Sequence, residues 1–221
     1  MELIKEVIHF ILHIDKQLAA ITHQYQGWTY LILFVVIFAE TGFVITPFLP
    51  GDSLLFAAGA LIANNAHNNT GLSIVVLGII LIVAAVSGNT VNYLLGNYLG
   101  PKVFKEKNKV MKLEYYLQTK AFFDKHGGKA VILSRFMPII RTIAPFVAGV
   151  GKMPLLRYSL YNIIGGASWI IIFLFAGYEL GNTAFFQNNI SLIGVIIILL
   201  SIVPPIIAGI KSRNNKKAAK V

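Results

Sequence analysis

The chain contains no cysteine, so it forms no disulfide and has no thiol chemistry. It is also poor in charge: 13% of its 221 residues are charged, against about 25% in an ordinary soluble domain. Acids are scarcest, with 9 Asp and Glu against 19 Lys and Arg. Such a composition lacks the polar surface to coat a soluble globule of this size. The histidines His9, His13, His23, His67 and His126 lack metal-ligand support from nearby acids or cysteines, so neither a metal nor another cofactor is expected. No A-x-A site follows the short apolar stretch after Glu2, Lys5 and Glu6, so no cleaved leader is expected.

What the chain has is apolar residues: 56% are hydrophobic and the mean hydropathy is +0.71. It reads as an all-α integral membrane protein, a helical bundle with one domain over 1–210 and a basic tail over 211–221. The net charge of +10 is concentrated in two places. One is Lys102, Lys105, Lys107, Lys109, Lys112, Lys120, Lys125 and Lys129; the other is Lys211, Arg213, Lys216, Lys217 and Lys220. Basic residues beside hydrophobic spans face the cytoplasm, which puts the C-terminus there. The same rule accounts for the charge without nucleic acid.

Residues 1–25 alternate apolar and polar at helical spacing and predict an amphipathic interfacial helix. Block 30–63 is apolar but broken by Pro47, Pro50, Gly51 and Asp52, and its second arm is too short to cross about 30 Å of hydrocarbon. It reads as a broken or re-entrant hairpin, with an uncharged loop after it. Residues 72–100 span, and Gly100-Pro101 stops them. A second amphipathic segment occupies 102–128, with Leu113, Tyr116, Leu117, Lys120 and Phe123 on one side. Block 129–151 mirrors the first block, with breaks at Pro138 and Pro145; 158–180 and 190–210 then span. Interrupted segments in matching places of two halves predict two opposed hairpins in inverted repeat, with a binding site near the midplane.

Four ionisable residues fall at these breaks: Glu40 and Asp52 in the first, Arg135 and Arg141 in the second. A charge at the bilayer centre costs about 2.5–3.5 kcal/mol on insertion scales, so such residues call for a functional reading. If the tips meet, acids pair with guanidiniums and the arginines form a permanent anion site with a fork geometry suited to phosphate. The acids then serve ion pairing and proton coupling. Asn89, Asn92 and Tyr93 read as packing contacts between helices. Ser53 and Ser134 are the candidate hydroxyl nucleophiles beside the charges and no histidine shares the breaks, so a lipid-phosphate phosphatase is disfavoured and no enzyme is expected.

Glu40-Thr41-Gly42 with Pro47-Phe48-Leu49-Pro50-Gly51-Asp52 resembles the first signature of the DedA family. Lys125-His126-Gly127-Gly128-Lys129, Arg135-Phe136-x-Pro138-x-x-Arg141 and Ala144-Pro145-Phe146-x-Ala148-Gly149 resemble the second. Tyr161-Asn162-x-x-Gly165 and Gly177-Tyr178 fit the following span, so the resemblance runs from about Leu3 to Gly181. It implies a multi-pass bacterial inner-membrane protein with two opposed re-entrant hairpins, a role in envelope homeostasis and dependence on the proton-motive force. Family members are implicated in moving undecaprenyl phosphate or phospholipids across the membrane, and distant eukaryotic relatives are lipid scramblases.

The expectation is therefore a flippase for a phosphate-headed polyprenyl lipid. Arg135 and Arg141 hold the headgroup, Glu40 and Asp52 relay protons or exchange partners, and Pro47, Pro50, Gly51, Pro138 and Pro145 shape the tips. The partners expected are an anionic lipid and the bilayer, with homo-oligomerisation left open. A phospholipid flippase or scramblase, a proton-coupled small-ion transporter and a non-transporting scaffold are the alternatives.

Overall fold

The computed structural model describes residues 27–42, 51–63, 71–100, 113–181 and 183. The segments expected at 1–25, 190–210 and 211–221 lie outside the described residues, as do Pro47 and Pro50. All regular secondary structure among the described residues is helical: α1 (Trp28–Gly42), α2 (Gly51–Ala63), α3 (Ile74–Leu99), α4 (Leu113–His126), α5 (Ala130–Ser134), α6 (Pro138–Val150) and α7 (Leu155–Gly181). A 3-10 turn, Gly127–Lys129, joins α4 to α5.

Among the described residues two helices, α3 with 26 residues and α7 with 27, are long and apolar enough to cross a membrane. At 1.5 Å per residue each reaches about 40 Å, beyond the ~30 Å hydrocarbon thickness. Their outward faces stay apolar, with Val75, Ile79 and Val83 on α3 and Leu156, Leu160 and Ile172 on α7 exposed. Gly100 ends α3 in a left-handed conformation, φ 68°, its N–H bonding back to the Gly96 carbonyl at 3.0 Å. The other apolar helices, α1, α2 and α6, have 15, 13 and 13 residues and reach only about 20 Å.

Contacts fix the chain directions. The Ser73 N–H at the head of α3 donates to the Tyr30 hydroxyl of α1 at 2.8 Å, so the two helices start at the same end. Gly42, the last residue of α1, lies against Gly88, about halfway along α3. Next, α2 starts in the middle, with Asp52 beside Trp169, and runs along α7 until Ala60 meets Gly181. Contacts of Gly78 with Leu174 and of Val86 with Gly166 make α3 and α7 antiparallel. Thus α1 goes in from one end to the middle and α2 returns to that same end. The second half does the reverse. Gly165 packs on Ile132, which lays α5 along α7 towards the middle, and α6 leaves alongside α3 to the opposite end.

Glycines permit the close approaches. A Cβ on Gly59 would strike the α7 backbone at Leu174 and Tyr178, and one on Gly177 would strike the α2 backbone at Phe56. In the other half, a Cβ on Gly149 would strike the α3 backbone at Tyr93 and Asn97, and one on Gly96 the α6 backbone at Phe146. Small residues allow this backbone contact where lipid provides no hydrophobic drive for helix association. Around the first half, Leu33, Ile37, Leu55, Leu77, Leu81, Trp169 and Leu174 form one buried cluster.

Two expectations change. Pro138 opens α6 at its first turn, as a break residue should, but Pro145 lies inside α6 and does not shape a tip. The proline removes only the ladder bond to the Arg141 carbonyl one turn back, and α6 continues through it; Asn92 Nδ2 of α3 donates to the adjacent Thr142 carbonyl at 2.9 Å. On α4 the buried side is Thr119, with Tyr116 and Phe123 half-buried against α6, whereas Leu117 is exposed. The i, i+3, i+7 stripe from Tyr116 rotates Leu117 away from the contact.

Candidate functional site

Four helices bring their charges to the middle of the bundle. Glu40 sits two residues before the end of α1, Asp52 in the first turn of α2 and Arg141 in the first turn of α6, while Arg135 directly follows α5. Each lies at the inner end of a short helix, so the breaks seen in the sequence and the meeting point of the four charges coincide.

Arg141 is the hub. Its Nη2 donates to Glu40 Oε1 and its Nη1 to Asp52 Oδ1, each at 2.7 Å. One guanidinium fork is therefore shared between carboxylates from two helices, both bonds being charge-assisted. Trp169 of α7 completes the arrangement: its Nε1–H donates to the same Asp52 oxygen at 2.8 Å, and its ring lies 5.1 Å from the guanidinium carbon, a cation–π distance. Glu40 is 2% exposed, Arg141 11% and Asp52 19%, so the site opens on the Asp52 side. Gly51 packs directly on the Glu40 carboxylate, leaving no room for a Cβ.

Arg135 is held differently. It is 1% exposed and forms no ion pair among the described residues. Its Nη2 donates to Asn162 Oδ1 of α7 at 2.7 Å and to the Ala85 carbonyl of α3 at 3.3 Å. The Asn89 amide satisfies its neighbours when its oxygen accepts from Arg135 Nη2 at 2.8 Å and its nitrogen donates to the Thr41 carbonyl at 3.1 Å. Asn162 Nδ2 donates in turn to the Val86 carbonyl at 3.0 Å. The expected pairing of two acids with two arginines is thus corrected: both acids converge on Arg141, and Arg135 sits in a cage of neutral acceptors. The reason is reach. The first turns of α2 and α6 meet at Arg141, whereas Arg135 lies on the α3–α7 seam, where only amides and carbonyls are presented. Arg135 remains within electrostatic range of Glu40 and Arg141, so the four charges form one cluster.

Asn89 and Asn92 bridge helices, as expected of packing residues, and Asn89 also cages Arg135. Tyr93 stacks on Tyr158 with ring centroids 4.3 Å apart, and its hydroxyl donates to the Met153 carbonyl. The Ser134 hydroxyl donates to the Val131 carbonyl one turn back at 2.9 Å. Sequence reasoning did not assign Asn162 or Trp169 to the site. Both are polar or aromatic residues buried in a spanning helix, at i and i+7 on one face of α7; that spacing was the available signal. No group of metal-binding side chains occurs among the described residues.

Chemically, the fork of Arg141 is able to accept a planar two-oxygen anion in place of its carboxylates. Displaced carboxylates in so buried a place need protons or new partners.

Comparison with known proteins accords with this architecture. The VTT domain family matches residues 49–179. Protein DedA of Escherichia coli (strain K12) is 45% identical over 222 residues, covering 100% of both chains. An uncharacterized membrane protein of Mycobacterium leprae (strain TN) is 38% identical over 84% of this chain and 82% of its own length. The inner membrane protein YqjA of Escherichia coli (strain K12) is 35% identical over 72% of this chain and 71% of its own. No solved structure matches. With membrane-length apolar helices, a relative at this identity over the whole chain and a domain match over more than half of it, the chain belongs to the DedA family of membrane proteins.

Proposed function

We propose that this protein is a lipid transporter of the flippase type, moving a phosphate-headed polyprenyl lipid such as undecaprenyl phosphate across the bacterial inner membrane with the proton-motive force as driver. The observation that carries the reading is Arg141 shared between Glu40 and Asp52 in the middle of the bundle, at the inner ends of three short helices. The guanidinium receives the headgroup phosphate, and Arg135 supplies a second, fixed positive charge close by. Glu40 and Asp52 hold Arg141 when the site is empty and take up protons when the headgroup displaces them. The lipid tail stays in hydrocarbon, so only the headgroup needs a polar path.

The in-and-back course of α1–α2 from one end and of α5–α6 from the other supports two opposed re-entrant hairpins in inverted repeat. The exchanged glycine contacts, α2 on α7 and α6 on α3, support the same symmetry. Non-helical backbone at such depth is tolerated where it lines a wet cavity. In this reading residues 1–210 are one domain, and the basic C-terminal tail lies in the cytoplasm.

The test is reconstitution into liposomes with labelled undecaprenyl phosphate and, separately, labelled phospholipid, with and without a proton gradient. Proton-driven movement of the polyprenyl phosphate is expected, and Arg141→Gln should abolish it while the protein still inserts. Equal movement by wild type and Arg141→Gln would refute the proposal. Movement of phospholipid alone would replace the substrate with the scramblase alternative.

A further inference from the structure

Among the described residues the central cluster contains two guanidiniums, Arg135 and Arg141, and two carboxylates, Glu40 and Asp52. The other described groups around it are neutral. On α3 these are Asn89, Asn92 and Tyr93; on α7 they are Tyr158, Asn162 and Trp169. Both phenols are protonated donors, Tyr93 to the Met153 carbonyl and Tyr158 to the Asn89 carbonyl at 2.9 Å. The connection 43–50 between α1 and α2 contains no titratable side chain. With both acids ionised, the site sums to zero.

We infer that this neutrality sets a fixed coupling: the site takes up one proton for each negative charge of the headgroup it binds, up to two. This rests on the proposed anion site and adds its stoichiometry. A bare phosphate added to a neutral, buried cluster leaves net charge in a low-dielectric place, which is strongly unfavourable. Protons remove that charge whether they settle on Glu40, on Asp52 or on the phosphate. The structure supplies two carboxylates that lose their partner when Arg141 turns to the headgroup, so the capacity is two. A phosphomonoester carries close to two charges above neutral pH and fills that capacity. A phosphodiester carries one and uses half of it. The loaded site then crosses the membrane without net charge, so the pH difference drives transport and the electrical potential does not.

Two measurements test this on the intact protein. The first is titration calorimetry in detergent at about pH 8, in buffers of different ionisation enthalpy, which counts protons taken up per ligand bound. The probes are farnesyl phosphate, a monoester, and dihexanoyl phosphatidylglycerol, a diester. Uptake near two protons is expected with the first and near one with the second. Glu40→Gln and Asp52→Asn should each lower the monoester value by one; Asp52 is the more exposed, so its variant serves if the other fails to fold. Binding with no proton uptake, or uptake unchanged in both variants, overturns the inference and leaves the anion site standing. Failure of the wild type to bind either probe overturns the anion site and the inference together.

The second measurement uses the reconstituted vesicles with labelled undecaprenyl phosphate, under a pH difference alone or a potassium–valinomycin potential alone. Movement should follow the pH difference, and movement driven by the potential alone refutes neutral coupling.

Discussion

Two arginines six residues apart meet opposite solutions to the same problem. Arg141 is neutralised by two carboxylates that come from other helices, and it sits on the more open side of the bundle. Arg135 is sealed among amides and carbonyls and keeps its full charge. A guanidinium held by carboxylates releases them only when something replaces them or when they take protons, so its bonds are exchangeable. A guanidinium held by neutral acceptors on two spanning helices has no such exchange. It clamps α3 to α7, and in the proposed transport cycle it supplies a standing positive field. In that proposal the comparison separates a working charge from a fixed one, although the sequence presents both as arginines at a helix break.

The largest effect tests the working charge. Arg141→Gln strands the buried Glu40 carboxylate and leaves the half-buried Asp52 with only the Trp169 N–H, which should destabilise the protein by about 3–5 kcal/mol, with loss of transport. The triple variant Arg141→Gln, Glu40→Gln, Asp52→Asn removes the stranded charges as well. It should recover most of the thermal stability in detergent and none of the transport. If the triple variant stays as unstable as the single one, the carboxylates are not held chiefly by Arg141.

The fixed charge is probed by making it resemble the other. Asn162→Asp places a carboxylate on Arg135 at the present 2.7 Å contact. Transport should fall by about tenfold or more, since the standing positive charge is neutralised and a 1.4 kcal/mol change is tenfold in an equilibrium. Folding should survive at a cost, because the new carboxylate accepts from the guanidinium but its second oxygen faces the Val86 carbonyl that the amide now serves. Unchanged transport in liposomes would mean that the charge of Arg135 has no part in headgroup binding.

Much of this was legible beforehand, and the reasons are specific. Helix positions followed from apolar runs and from Gly100, Gly127 and Pro138, because these residues punctuate backbone regardless of tertiary context. The four charges could be found because an ionisable residue in an apolar run is rare and costly. Their partners could not. Which carboxylate reaches which guanidinium depends on where the first turns of α2 and α6 come to rest, and no local pattern encodes that. Asn162 and Trp169 were missed because neither carries a charge and each also fits a packed spanning helix. Pro145 misled because a proline reads as a break, although it costs a helix only one ladder bond and α6 runs through it. The short match between Phe56-Ala57-Ala58-Gly59 and Phe146-Val147-Ala148-Gly149 was not read, because four residues gain meaning only once both glycines are seen against a long helix.

Those two segments offer a finer comparison, between the two glycine seams. Gly59→Ala and Gly149→Ala each push a methyl into partner backbone, with an expected cost of about 1–3 kcal/mol apiece. The costs should match within about 1 kcal/mol in thermal unfolding if the halves are built alike. Loss of one seam at several times the cost of the other would show that the symmetry is one of path and not of packing.

The last comparison concerns Trp169, which touches both Asp52 and Arg141 from within the apolar core. It contributes two separable things, an N–H to Asp52 at 2.8 Å and a ring face under Arg141 at 5.1 Å. Trp169→Phe deletes the first and keeps most of the second, while Trp169→Leu deletes both. A hydrogen bond to a carboxylate and a desolvated cation–π contact are each worth about 1–2 kcal/mol. Transport should therefore fall about fivefold in the Phe variant and by roughly tenfold more in the Leu variant. Combining Trp169→Phe with Asp52→Asn should cost little beyond Asp52→Asn alone, because the carboxylate that the N–H serves has gone. Full additivity of the two would mean that Trp169 acts through packing in the α1–α2–α3–α7 core and not through Asp52, which would remove it from the site and leave Arg141 dependent on its two acids alone.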